Sequence, residues 1–390
     1  MLNFALSEEQ RAIRDTARAF VRKELLPLEE DALRRERAGQ VGVDRDRVRS
    51  LQLKAREFGF WGLATPESYG GMNLPAVTQA LITAELGRTF IPFAFGGDAD
   101  NILYACNDEQ KQEYLVPTIE GERRSCFAIT EPGAGSDTRA IRTSAHRDGD
   151  DWVIRGEKTF ITGGNDADFA IVIAVTDKEK GHDGGFTAFL VDRDMGWKSE
   201  PIITMGEGGP ASLVFEDVRV PARNVLGEVG DGYRLAMDWI IRGRYLIPAR
   251  AIGAAERLLQ MAVEYANTRV TFGRPIGDNQ AIAWMIADSE VELEAARWLT
   301  MRAAWVVDQG IDPRHDAAIA KLHATGMANR VVDRVLQIHG GMGYTRELPV
   351  ERWYRELRVW RIFEGTDEMQ RLIISSDLLR GRRVVGAHVT

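Results

Sequence analysis

The hydrophobic period of this chain changes twice, and that change limits its fold more than any single motif does. Up to about residue 120 apolar side chains recur at three- and four-residue spacing, as a helix with one buried face requires. Ile13, Ala17, Phe20 and Val21 are an example, entered through a Ser7/Gln10 capping box. Near Ser125 the pattern becomes short apolar runs separated by turn residues, and near Asp231 the helical spacing returns and lasts to Leu379. Strands that follow one another without helices between them pair antiparallel, so the middle predicts an antiparallel barrel or sandwich and excludes a βαβ dinucleotide-binding fold. A chain of 390 residues is also too long for one core. The expected class is α+β: an N-terminal α-helical domain over 1–122, a middle β domain over 123–229, and a C-terminal α-helical bundle over 230–390.

Within that frame, Pro27 ends or bends the first helix, 39–47 is a polar loop, and Val48 to Phe58 and Pro75 to Leu86 are helical. Asp148-Gly149 between two apolar runs is a hairpin signal, with further strands at Phe169–Val175, Phe186–Val191 and Leu213–Val220. Ala249 to Tyr265, Gln280 to Gln309 and Asp316 to His339 read as long helices, the last stopped by Gly340-Gly341.

Composition removes several functions. A net charge of −8 leaves no excess of cations to neutralise nucleic-acid phosphates. Only Cys106 and Cys126 are present and the six histidines are scattered, which argues against a disulfide framework or a metal centre. The first nine residues lack a charged segment followed by an apolar run, and no apolar run is long enough for a bilayer. The expectation is a cytoplasmic protein that binds neither nucleic acid nor membrane.

Five stretches carry chemistry. Trp360-Arg361-Ile362-Phe363-Glu364-Gly365-Thr366-Asp367-Glu368 places a carboxylate before a Gly-Thr turn, with Thr366 as helix N-cap and Asp367 and Glu368 in the first turn. Apolar neighbours would desolvate Glu364 and make it the stronger base needed to remove a weakly acidic C–H proton. Phe127 to Asp137 is a strand running into a loop whose Gly133 and Gly135 let backbone N–H groups approach a flat ring or a phosphate. Lys158 to Asn165 sets an aromatic, Phe160, two residues before a hydroxyl, Thr162, on one strand side. Arg269 to Pro275, with Gln280, offers a guanidinium suited to a pyrophosphate. Gln337 to Gly343 closes a helix with glycines.

These stretches, in this order and with a Pro66-Glu67-Ser68-Tyr69-Gly70-Gly71 turn ahead of them, resemble the acyl-CoA dehydrogenase family. The resemblance implies a C-terminal four-helix bundle and FAD as cofactor. It makes Glu364 the catalytic base for α,β-dehydrogenation of an acyl-CoA to the trans-2-enoyl-CoA, with hydride passing to flavin N5. Phe127, Ile129, Thr130, Phe160 and Thr162 would line the flavin. Arg269, Phe272, Gln280, Gln337, Gly340 and Gly341 would hold FAD across a subunit boundary, with Thr366 and Glu368 also on the cofactor, so a homodimer or homotetramer follows. Ser136, Arg244 and Gly365 would meet the substrate. Ile240 to Pro248, where some relatives carry their base, has no Asp or Glu, so Glu364 has no rival there. The electron acceptor implied is an electron-transferring flavoprotein, and the pathway β-oxidation. Phe90, Phe93, Phe95, Asp98 and Asp100 fall near the acyl pocket of relatives and leave the acyl group open. An acyl-CoA oxidase, an enoyl-CoA reductase and a DNA-binding relative remain alternatives at this stage.

Overall fold

The structure is a computed structural model that describes residues 5–386; Met1 to Phe4, part of the stretch read for a leader, lie outside it. The chain forms two compact units. One contains Leu74–Ala94 and the chain from Ile241 onward together with the residues up to Ala55; the other contains Arg56–Asn73 and Phe95–Ile240.

In the helical unit, α1 (Glu8–Phe20) starts at Ser7 with both capping-box bonds formed. Pro27 does not stop the helical path. A wide turn at Val21–Leu25 and a tight one at Leu26–Leu28 lead into α2 (Glu29–Arg37), with Pro27 at an entry position where no N–H is required. Next come α3 (Arg45–Glu57) and α4 (Ala76–Gly87). α5 (Gly232–Gly243) belongs to the sheet-bearing unit as far as Ile240, and the chain after it brings α6 (Leu246–Thr268), α7 (Gln280–Asp308), α8 (Arg314–His339), α9 (Val350–Val359) and α10 (Asp367–Leu379). Helices α6, α7 and α8 pack on one another, α9 and α10 lie on α8, and α4 lies on α6 and α7.

Small side chains set these distances. Buried alanines line α6, α7 and α8. Where α4 meets α6 there is no room even for a methyl group. A Cβ on Gly253 would stand 1.8 Å from the Ala84 carbonyl oxygen, and one on Gly87 would stand 2.2 Å from that of Arg250. The two backbones therefore touch, which fixes α6 and the corner that precedes it.

The other unit is built on one sheet: β1 (Ser125–Ala128), β2 (Ser144–Asp148), β3 (Asp151–Ile161), β4 (Phe169–Val175), β5 (Phe186–Asp192), β6 (Lys198–Pro201), β7 (Ala211–Pro221) and β8 (Val225–Leu226). The order is β6-β7-β3-β2-β4-β5-β8, with β1 beside β4. Pairing is antiparallel as the sequence predicts, except that β1 runs parallel to β4 and β2 meets β4 in one parallel pair. The β2–β3 hairpin sits between β1 and β4 in the chain, which gives β1 the long connection that a parallel neighbour needs.

β4 is apolar on both faces because each face has its own core. Phe169, Ile171 and Ile173 join Phe186 and Leu190 in one cluster. Ala170, Val172 and Ala174 join Phe189, Trp152, Ile154 and Phe215 in the other. That second cluster draws side chains from the β3–β7 limb as well as the β4–β5 limb, which makes the sheet a sandwich-like body.

Candidate active site

The end of β1 and the end of β3 are joined. Thr159 N–H donates to the Thr130 carbonyl at 2.9 Å. Behind that bond, the fully buried Lys158 donates from Nζ to the Ile129 carbonyl at 3.0 Å and to Glu131 Oε1 at 2.9 Å. Glu131 also accepts the backbone N–H groups of Arg142 and Thr143 at 2.7 and 2.9 Å. Burial pulls the Lys158 ammonium down to about 8 against the pull of Glu131. For Glu131, burial acts upward, but the Lys158 charge and the surrounding bonds prevail and hold the carboxyl below its usual value. The pair is a cation–carboxylate lock beneath the loop.

The residues expected at the flavin lie on the two strands that the lock joins and just beyond their ends. Phe127 stacks on Trp239 at 4.2 Å between ring centroids, and Trp239 is fixed by a 2.9 Å bond from Nε1 to Asp100. β3 is irregular against β7 between Lys158 and Ile161, and within that irregularity Phe160 takes φ +57. A left-handed phenylalanine costs on the order of 1–3 kcal/mol. It remains 61% exposed, and Thr162 and Ser136 are exposed too. Ile129 is buried and Thr130 half-buried. A Cβ added to Gly133 or Gly135 would meet nothing within 4 Å, so the space over this loop is open. An exposed aromatic, exposed hydroxyls and an open glycine loop are groups that suit a flat, polar-edged cofactor.

In the helical unit, Glu364 and Gly365 make the turn into α10 with φ +52 and +89. The Gly365 carbonyl, in the middle of that turn, accepts Lys321 Nζ at 2.6 Å and Gln370 Nε2 at 2.8 Å. Lys321 and Gln370 are both fully buried. Burial lowers the Lys321 ammonium to about 8, opposed by Glu364 and then Asp367. Arg244, at the corner between α5 and α6, is also lowered by burial and held up by Glu364. The carboxylate therefore sits in the field of two cations. A Cβ on Gly243 would lie 4.0 Å from Glu364 Oε2, and one on Gly365 would lie 3.6 Å from Arg244 Nη2, which brings Glu364, Gly365 and Arg244 together. Arg244 Nε is buried with no partner. Thr366 caps α10 by accepting Met369 N–H at 3.3 Å, and Glu368 is exposed in its first turn.

The reason given from sequence for desolvating Glu364 is corrected here. Trp360 is buried, but Ile362 and Phe363 retain 51% and 36% of their surface, and the enclosed neighbours are Arg244 and Lys321. The acids read as possible pocket groups are engaged within the sheet-bearing unit. Asp98 accepts the N–H groups of Ala64 and Thr65, and Asp100 accepts Ser125 and Trp239.

A third group lies at one end of the helical unit. Arg269 to Pro275 is a two-stranded hairpin whose tip, Phe272-Gly273, has φ +53 and +79, as a primed turn requires. Phe272 is wholly exposed, as are Arg269 and Gln280. Tyr265 stacks on His339 at 4.4 Å, which brings the hairpin's base to the end of α8, where Gln337, Gly340 and Gly341 are exposed.

Lys158, Lys321, Gln370 and Trp239 were not picked out from sequence. Lys321 left a trace: a lone cation in the apolar run Ala317-Ala318-Ile319-Ala320-Lys321-Leu322 of a helix. Trp239 and Gln370 left none.

The comparisons identify the family. The N-terminal, middle and C-terminal domain models of acyl-CoA dehydrogenase match residues 7–122, 126–218 and 230–379. The chain belongs to the acyl-CoA dehydrogenase family, and is an FAD-dependent oxidoreductase acting on the CH–CH group of an acyl-CoA. It is 38% identical to (R)-benzylsuccinyl-CoA dehydrogenase of Thauera aromatica, over all of both chains. It is 36% identical to the short-chain specific acyl-CoA dehydrogenase of Bos taurus, over 97% of this chain and 92% of that one. The structure of butyryl-CoA dehydrogenase from Megasphaera elsdenii superposes with a TM-score of 0.85 at 34% identity, covering 97% of this chain and 100% of that one.

The Lys158–Glu131 lock is open to test. Lys158→Ala leaves a buried carboxylate without its cation and is expected to lower stability by about 3–5 kcal/mol in urea denaturation. A loss under 1 kcal/mol would mean that the loop is held by other contacts.

Proposed function

We propose that this chain converts an acyl-CoA thioester to the trans-2-enoyl-CoA, with Glu364 as the base that removes the α-proton. The observation that carries this is the strained Glu364-Gly365 turn, held from inside by Lys321 and Gln370 and facing Arg244. A turn that costs energy and is fixed by two buried donors aims its side chain, and the aimed side chain is the one group of the cluster able to accept a proton. The Glu364 backbone N–H is assigned to the thioester carbonyl oxygen, whose polarisation makes the α-proton removable. Arg244 and Ser136 are assigned to the CoA ester, and Lys321 to positioning of the base.

Phe127, Ile129, Thr130, Phe160 and Thr162 would hold the flavin ring. Arg269, Phe272, Gln280, Gln337, Gly340 and Gly341 would hold the remainder of the FAD of a second subunit, with Thr366 and Glu368 at its edge. When bound, FAD supplies the acceptor, N5, for the hydride lost from the β-carbon. The proposed onward acceptor is an electron-transferring flavoprotein, in a β-oxidation type of pathway in the cytoplasm. Two free, buried cysteines are in keeping with that compartment, and among the described residues no helix is long and apolar enough to cross a membrane.

A second copy of the chain is proposed to cover the exposed apolar groups of the helical unit. Trp284, Val291, Trp298 and Trp305 recur every seven residues on α7 and are 59%, 70%, 45% and 41% exposed, and Phe272 stands free at its hairpin tip. Such a stripe is an association surface.

Glu364→Gln is expected to retain bound FAD and its spectrum, while anaerobic bleaching by acyl-CoA slows by roughly 10²–10⁴; bleaching at the wild-type rate would place the base elsewhere. Reoxidation of the bleached enzyme by air within one turnover would favour an oxidase over a dehydrogenase. Phe272→Asp is expected to yield smaller particles in sedimentation velocity and to lose FAD on dialysis. Unchanged sedimentation with full FAD retention would remove the hairpin from the subunit boundary.

A further inference from the structure

α6 carries a further arginine beyond the Arg244 corner. Arg250 lies six residues beyond Arg244, roughly 9 Å along the axis at the α-helical rise. Its guanidinium is crowded by atoms of the surrounding elements, and burial pulls its pKa below the ordinary arginine value. Yet the residue keeps part of its accessible surface.

Arg250 has five N–H donors. Among the described residues one hydrogen bond engages them, from Nη2 to the Phe93 carbonyl at 3.0 Å, and no carboxylate stands within ion-pair distance. Glu356 acts on the cation only from further away. Three other enclosed arginines of this unit are matched. Arg88 and Arg297 each reach Glu256 at 2.6 Å, and Arg352 reaches Glu36 at 2.8 Å. A buried guanidinium without an anion is costly, and here its place is dictated, since the glycine contact of α4 locks the Arg250 backbone. The segment beside it is apolar: Phe90, Ile91 and Phe93 are buried, and Phe93 packs on Phe20 at 5.5 Å. Arg250 is thus one partly accessible cation beside an aromatic and aliphatic segment.

We propose that Arg250 binds a carboxylate on the acyl group, so that the substrates of this enzyme are acyl-CoA thioesters bearing a second, free carboxyl group. A planar fork with four unused donors suits a carboxylate bidentately, and the apolar segment accepts the carbon chain between the two ends. The inference rests on the dehydrogenation reading above and adds the substrate class to it.

The test is a set of matched pairs: succinyl-, glutaryl- and adipyl-CoA against butyryl-, pentanoyl- and hexanoyl-CoA, followed by anaerobic flavin bleaching of the FAD-loaded enzyme. The wild type is expected to favour the carboxylated member of at least one pair by about 100-fold in kcat/KM, as a site built around a polar partner does. Arg250→Gln is expected to reduce that ratio about 100-fold, and Arg250→Lys to retain part of it. Calorimetric binding of the same pairs to Glu364→Gln enzyme should show the same preference without turnover. Ratios near one in the wild type overturn the proposal. So does an Arg250→Gln enzyme in which both members of each pair decline alike, the result of a purely structural bond to Phe93 or of a contact to the shared CoA phosphates. Bleaching by no acyl-CoA of either kind sinks the reaction itself and this inference with it, and the methyl-ended series tells that outcome apart.

Discussion

The Gly365 carbonyl is the point on which the proposed chemistry turns. It is exposed to backbone strain on one side, where Glu364 takes a left-handed conformation, and gripped on the other by a lysine and a glutamine with no solvent access. A charge-assisted bond of 2.6 Å in a dry interior is among the stronger ones a protein makes. The energy that a left-handed glutamate costs is offset there. Everything that supports Lys321 therefore supports the direction of the carboxylate, including the alanine-lined packing of α8 on α6 and α7.

The same device recurs at the other predicted anchors. Among the described residues the non-glycine positions with positive φ are Asn73, Phe160, Asp217, Phe272 and Glu364. Three of the five stand at the strand proposed to face the flavin, the hairpin tip and the proposed base. Each is backed by something rigid: the Lys158–Glu131 lock, a primed two-residue turn, and the Lys321 clamp. Strain at a surface residue persists only where its surroundings overdetermine it. Its coincidence with motif residues on both units fits a chain in which fold stability has been traded for placement. Arg250 follows the same logic with charge in place of strain, a cation buried without its partner.

Much of this was legible in the sequence, because the signals concerned are local. The period change gives the helix–strand–helix order, Ser7 and Thr366 act as the caps they resemble, and Asp148-Gly149 closes its hairpin. What escaped depends on contacts far apart in the chain. Lys321 meets Gly365 across 44 residues, and Trp239 reaches Asp100 across 139. The parallel β1–β4 pair is likewise a product of topology that no strand pattern encodes. Of the two outcomes that Pro27 allows, the structure takes the bend: within the first turn of a new helical segment a missing N–H costs nothing, so the chain goes on. The surroundings expected for Glu364 were apolar because its sequence neighbours are, whereas the fold brings Arg244 from the α5–α6 corner and Lys321 from α8.

The most direct test of this account is the pH dependence of single-turnover flavin reduction in the wild type and in Lys321→Met. Burial lowers the Lys321 ammonium from 10.5 to about 8. The charge is thus lost in the folded protein as pH rises through that value, while an unfolded chain would keep it to a higher pH. The wild-type rate is expected to decline through about pH 8. Lys321→Met, with its FAD spectrum unchanged, is expected to be slower by about 100-fold and to lack that decline. A variant within twofold of wild type, or one that keeps the same alkaline limb, would contradict the claim that the buried lysine aims the base.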